Sequence, residues 1–276
     1  MPLLVNRSSH EHASVKAPSL LMLCTEPPRA LIELSAGLML RNSLLKAAPH
    51  GDGHALMVLP GLGASDLSTG MLRRFLSDLG YEAHGWEQGR NTGARLGLEQ
   101  RMRERLREIH TETGRKVSLI GHSLGGLYAR ELAKLEPDCV RQVISLGSPF
   151  AGHLGSTNAT RLYEWLSGEQ LKDIAPEQVA RVLAKPPVPT TSVYSKTDGI
   201  VAWPCSIEGD NNDGESIHLR AASHLGMTAC PSALYLVAER LAQPEGHWQA
   251  FAPTGWQRLV YGVQDHLPAA LQPLPA

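Results

Sequence analysis

The chain has 276 residues, is 42% hydrophobic and 19% charged, and carries a formal net charge of -1. That length buries one sizeable core, or one core with a small cap. Near-neutral charge and 5% aromatic content argue against a nucleic-acid partner, and no apolar run approaches the roughly 18 residues of a spanning helix.

The first residues, 1–16, are polar and His-rich and lack the charged start and apolar centre of a secretory signal. Ser19 to Cys24 places bulky residues where a lipoprotein cleavage site needs small ones. The expected location is the cytoplasm; a mature secreted chain would read the same. Residues 1–28 read as a loose lead-in ended by Pro27-Pro28. Residues 29–46 then read as a helix, with Leu31, Ile32, Leu34, Leu38, Met39, Leu44 and Leu45 covering much of its surface. It packs on the main domain or, less favoured, lies on a lipid surface. The organisation expected is therefore 1–46 as lead-in and helix and 47–276 as the main domain.

From His54 onward strands and helices alternate. Strands are expected at 55–59, 81–86, 117–120, 140–146, 192–194 and 217–219, and helices at 71–79, 98–113, 124–136 and 232–241. Arginines on the second of these helices interleave with glutamates and form a solvated, paired face. The βα order gives an α/β fold: a mainly parallel six-stranded sheet with helices on both faces. Residues 150–190 are long for a connection, contain two helical patterns, and read as a small helical cap.

The chemistry centres on Gly121-His122-Ser123-Leu124-Gly125-Gly126. A strand, then G-x-S-x-G, then a helix places a serine on a sharp turn above the sheet edge. A serine hydroxyl needs a neighbouring base to act as a nucleophile. Such a site needs a late histidine and an acid between serine and histidine. His224, past the last strand, fits the base; Asp198, past the fifth, fits the acid. His122 is expected to face away and shape the turn, and His218 to be packed or on the surface. Two amides must hold an oxyanion. Leu124 N–H opens a helix. Leu62 N–H, in Pro60-Gly61-Leu62-Gly63, is the second choice, set against an ordinary Gly-rich turn. Leu154, Trp203, Leu225 and Met227 are candidates for an apolar acyl pocket, and each alone is as readily core. The loop holding Asp210 and Asp213 reads as a solvated turn rather than a cation site. No metal is expected.

These motifs resemble the α/β-hydrolase superfamily, in its bacterial lipase and esterase branch, over roughly residues 54–243. The resemblance rests on Pro60 to Gly63, Gly121 to Gly126, Leu146-Gly147-Ser148-Pro149-Phe150, Thr197 to Val201 and Ser223 to Gly226. It implies Ser123, Asp198 and His224 as a triad and Leu62 as an oxyanion donor. This chain has Pro60-Gly61 where the branch often has His-Gly, and Ser148-Pro149-Phe150 where lipases commonly have Thr-Pro-His. The activity implied is cofactor-free hydrolysis of a small-molecule or lipid ester through an acyl-enzyme. Alternatives are acyl transfer by the same triad, or a non-catalytic acyl-binding protein. Membrane association is not favoured. Cys205 and Cys230 follow the acid and histidine loops and are either a pair or free thiols, the latter being the default in a reducing compartment.

Overall fold

Alternate residues of strand β1 (Ala55–Leu59) point into two separate apolar clusters, one on each face of the sheet. Leu56 and Val58 pack with Leu72, Phe75 and Leu76 of helix α2 (Gly70–Asp78). Ala55, Met57 and Leu59 pack instead with Leu106 and Ile109 of α3 (Leu98–Thr113) and Leu132 of α4 (Leu124–Leu135). A strand covered on both faces is mostly apolar: β1 is so throughout, whereas β3 (Val117–His122) and β4 (Val140–Leu146) are buried throughout but carry polar residues such as Ser118, Arg141, Gln142 and Ser145.

The protein is described here from a computed structural model covering residues 15–151, 157–158, 160, 164, 181–208 and 213–262. With β2 (Glu82–Gly85), β5 (Thr190–Tyr194), β6 (Gly214–Leu219) and β7 (Tyr261–Gly262), the sheet has seven strands in the order β2-β1-β3-β4-β5-β6-β7. All neighbours are parallel except β7, which runs antiparallel to β6. Helix α5 (Pro231–Leu241) closes the face that α2 covers. The six expected strands are all present. The seventh pairs only Tyr261 and Gly262 with Leu219 and His218, too short a run to carry a period. Arg130 of α4 makes a buried two-toothed ion pair with Glu208, tying that helix to the segment before β6.

The amino-terminal segment departs from expectation. Helix α1 runs from Leu20 to Ala47, with Pro27 and Pro28 inside it, and Ser19 caps its start by accepting from Met22 N at 3.3 Å. The lead-in therefore ends near residue 19, not 28. Proline removes a helix donor and crowds the preceding turn. Side chains on either side of the two prolines compensate by binding loops of the main domain: Glu26 and Arg29 reach residues 197 to 225. The expected cap at 150–190 lies mostly outside the described residues. Of its described part, Thr157 bridges Val201, and Asn158 donates from its side chain to Gly199 O at 2.8 Å and Pro18 O at 3.0 Å. None of the four cysteines is in a disulfide. Cys205 is buried with Val201 and Ala202, and Cys230 in the α2–α5 cluster, so the considered Cys205–Cys230 pair is not made.

Candidate active site

Strand β3 ends at His122 and α4 starts at Leu124, leaving Ser123 alone on the turn between them. Its backbone sits at φ 53° and ψ -122°, a sparsely populated region for a residue with a side chain. Ser123 N donates to Leu146 O at 2.8 Å, and Gly126 N to Ser123 O at 3.0 Å, which hold the turn in place. The glycine after it is required by a close approach. A Cβ on Gly125 would stand 2.7 Å from Pro60 O, so α4 packs directly on the end of β1. The same crowding brings the β1 turn to the serine: the Cβ direction of Gly61 points to within 3.2 Å of Ser123 Cβ.

The amides expected to act as donors stand on these two turns. Gly63 N is taken by Asn91 O and Ala64 N by Gly61 O. Among the described residues, the amides of Leu62 and Leu124 have no backbone acceptor.

Asp198 follows β5 and His224 follows β6, so both stand at the carboxyl edge where Ser123 stands. Both are buried, at 4% and 2% exposure. Asp198 Oδ1 accepts from Ile200 N at 2.8 Å and Val201 N at 2.7 Å, which aims Oδ2 at His224 Nδ1, 2.7 Å away. A carboxylate only accepts, so Nδ1 carries the proton and Nε2 is left as the free base. Burial pulls the His224 pKa down, but the Asp198 charge and hydrogen bond, with the Glu26 charge, outweigh it, and the net shift is upward. Among the described residues, Ser123 makes no side-chain hydrogen bond.

His122 does not face away. Its Nε2–H donates to His224 O at 2.9 Å and its ring lies 4.9 Å from that of His224. Burial, then the neighbouring His224, push its pKa down to about 4, so it is neutral at neutral pH. His218 is buried and stacked on Tyr194 at 5.2 Å. Of the pocket candidates, Met227 is fully buried in the α2–α5 cluster and Trp203 stacks on Tyr194 at 5.8 Å. Leu225 is 46% exposed, and Leu154 lies outside the described residues.

A second chain of the same residue types lies at the opposite, amino edge of the sheet. Asp52 Oδ1 meets His54 Nδ1 at 2.5 Å, and His54 Nε2 meets Ser118 Oγ at 2.8 Å. Ser118 sits within β3 and both it and His54 are fully buried. No substrate can reach that serine. Arg115 and Arg141 bind Asp52 at 2.6 and 3.0 Å, so the cluster is a structural polar brace.

The model of the PGAP1-like alpha/beta domain matches residues 98–201, from α3 through the Asp198 loop. No curated protein sequence matches the chain. Among solved structures, the chain is similar to lipase B of Aspergillus fumigatus, at 18% identity and a TM-score of 0.54, over 74% of this chain and 57% of that one. It is similar also to one of the metagenome-derived lipolytic enzymes LipS and LipT, at 13% identity and a TM-score of 0.51, over 70% of this chain and 93% of that one. The chain thus spans little more than half the length of the fungal lipase. From its sheet order, its strand-turn-helix at Ser123 and these likenesses, the chain has the α/β-hydrolase fold.

Proposed function

We propose that the protein is a serine hydrolase that cleaves carboxylic esters through an acyl-enzyme. The observation that carries this reading is the buried Asp198–His224 hydrogen bond at the same sheet edge as a strained, solvent-reachable Ser123. Ser123 Oγ attacks the ester carbonyl while His224 Nε2 takes its proton. The carbonyl oxygen gains negative charge and is held by the Leu62 and Leu124 amides. The intermediate collapses, His224 protonates the departing alcohol, and the acyl group stays on Ser123. Water then attacks with His224 as base and releases the acid. Asp198 keeps Nδ1 protonated and stabilises the imidazolium formed in both steps. The fold shared with a lipase and a lipolytic enzyme supports esters of apolar acids as the substrate class.

The test is initial rates on p-nitrophenyl esters of rising acyl length for the wild type and Ser123→Ala. Hydrolysis by the wild type and its loss in the variant are expected. A folded wild type inactive at every length, or an active Ser123→Ala, would reject the reading.

A further inference from the structure

We propose that Glu26, on α1, is the positioning residue for the acid and base loops, fastening them to each other through one buried carboxylate. The proposal rests on Asp198 and His224 working as one site with Ser123.

Glu26 is 1% exposed. Its Oε1 accepts from Gly199 N at 2.7 Å and from His224 N at 3.0 Å, and its Oε2 accepts from Leu225 N at 3.0 Å. The first amide belongs to the residue after Asp198; the other two belong to the base and its successor. One side chain thus bonds both loops at once. His224 is held twice, its ring by Asp198 and its main chain by Glu26, from two elements distant in sequence.

A buried carboxylate is costly unless its lone pairs are filled. Three amides fill these, and Arg29 Nη1 stands 3.8 Å from Oε1. The rest of the helix face repeats the arrangement. Arg29 donates to Thr197 O at 2.8 Å and to Thr197 Oγ1 at 3.1 Å. Glu33 accepts from Ser223 N at 2.8 Å and Ser223 Oγ at 2.6 Å. Residues 26, 29 and 33 lie on one face of a helix, and that face touches the residue before Asp198 and the residue before His224. The loops are shaped to admit it. A Cβ on Gly199 would stand 2.5 Å from Met22 O, and one on Gly226 2.8 Å from Glu33 Cδ.

The arrangement has two consequences. Without Glu26, the Gly199, His224 and Leu225 amides lose a buried acceptor, and the two loops lose their common tie. Glu26 also adds a fixed negative charge beside the imidazolium that forms during reaction. The charged and titratable groups facing His224 are Asp198 from the acid loop, His122 from β3, and Glu26 from α1, with Arg29 and Glu33 behind it.

The test compares the full-length wild type, Glu26→Gln and Glu26→Asp. The readouts are the titration of the His224 imidazole by NMR, and kcat and KM for a p-nitrophenyl ester across pH. Glutamine keeps the volume, loses the charge, and turns a donor toward the Leu225 amide. It should lower kcat by roughly tenfold to a hundredfold, with KM within about threefold. The His224 titration and the acid limb of the rate profile should both move to lower pH. Aspartate keeps the charge with a shorter reach; it should lower kcat severalfold and leave the titration near that of the wild type.

Unchanged kcat in Glu26→Gln, or lost activity with an unmoved His224 titration, overturns the proposal. If Glu26→Gln does not fold, an undiminished kcat in Glu26→Asp overturns it. If the wild type hydrolyses no ester, the functional reading falls, and the His224 titration alone decides the role of Glu26.

Discussion

The molecule holds two groupings of serine, histidine and aspartate: Asp52, His54 and Ser118 are hydrogen-bonded throughout, whereas of Asp198, His224 and Ser123 only the first two are bonded to each other. Ser118 is buried within β3, whereas Ser123 stands on a turn with positive φ. Residue type ranks them equally and hydrogen bonding favours the buried set, so access and backbone conformation are what single out Ser123. That Ser123, Asp198 and His224 stand at one sheet edge is readable from the sequence, because each follows a run that forms a strand ending there. His122 departs from the expected outward orientation, since nothing local signals that a ring on the elbow meets a carbonyl 102 residues away. Removing the Asp198 charge should be severe: Asp198→Asn frees the wrong tautomer and should lower kcat by about 10⁴-fold, read from single-ester kinetics. The pH profile follows from the shifts. His224 must be neutral to accept the serine proton, and its pKa is raised above 6.5. Therefore kcat/KM should fall as pH drops below that raised value, a limb lying above the one expected of a free imidazole. The same shift contributes stability that is present below the unfolded pKa and lost as pH rises through the folded one. His122 acts in the opposite sense. Held near 4 when folded, it refuses a proton that the unfolded chain takes up between pH 6.5 and about 4. Stability should fall as pH drops through that window, and less steeply in His122→Gln, checked by urea unfolding at pH 7 and pH 5.

At the scale of elements, α1 is the lesson. Its two prolines read as the end of a lead-in, because in an isolated helix each costs about 3 kcal/mol. Tertiary bonds override that. Thr25 Oγ1 donates to Met22 O at 2.8 Å just before the prolines, and Glu26, Arg29 and Glu33 anchor the helix to the two loops. The signal in the sequence was indirect. Gly199 has no positive φ to explain its glycine; it lacks a side chain because α1 passes against it. Gly199→Ala should force the acid loop away from α1. Hydrogen exchange at the 198–201 and 223–226 amides should accelerate together, and the melting temperature should drop by several degrees, in line with a few kcal/mol of overpacking. Faster exchange in the 198–201 loop alone would mean that α1 does not couple the two. Leu31, Ile32, Leu38 and Met39 remain 60% or more exposed on α1, so its attachment depends on polar bonds as much as on apolar packing.

Over the whole molecule, the sheet collects residues that local sequence keeps apart. Glu26 lies 173 residues from Gly199 and 198 from His224, yet one carboxylate bonds both amides. Strand β1 is legible because burial on both faces leaves a continuous apolar run, whereas β5 and β6 begin with polar residues and only their ends, Ser192 to Tyr194 and Ile217 to Leu219, are legible. The seventh strand was not, since two residues make no pattern. Contacts between α1 and the loops depend on which strands are neighbours, which periodicity does not encode. The central claim is that the reactive serine is the one at the carboxyl edge. It is tested most directly by treating the protein with a fluorophosphonate, which an activated serine attacks with loss of fluoride, and locating the adduct by peptide mass mapping. The account predicts one adduct on Ser123, absent from Ser123→Ala. A folded protein with no adduct, or one bearing it on Ser118 or another residue instead, would contradict it.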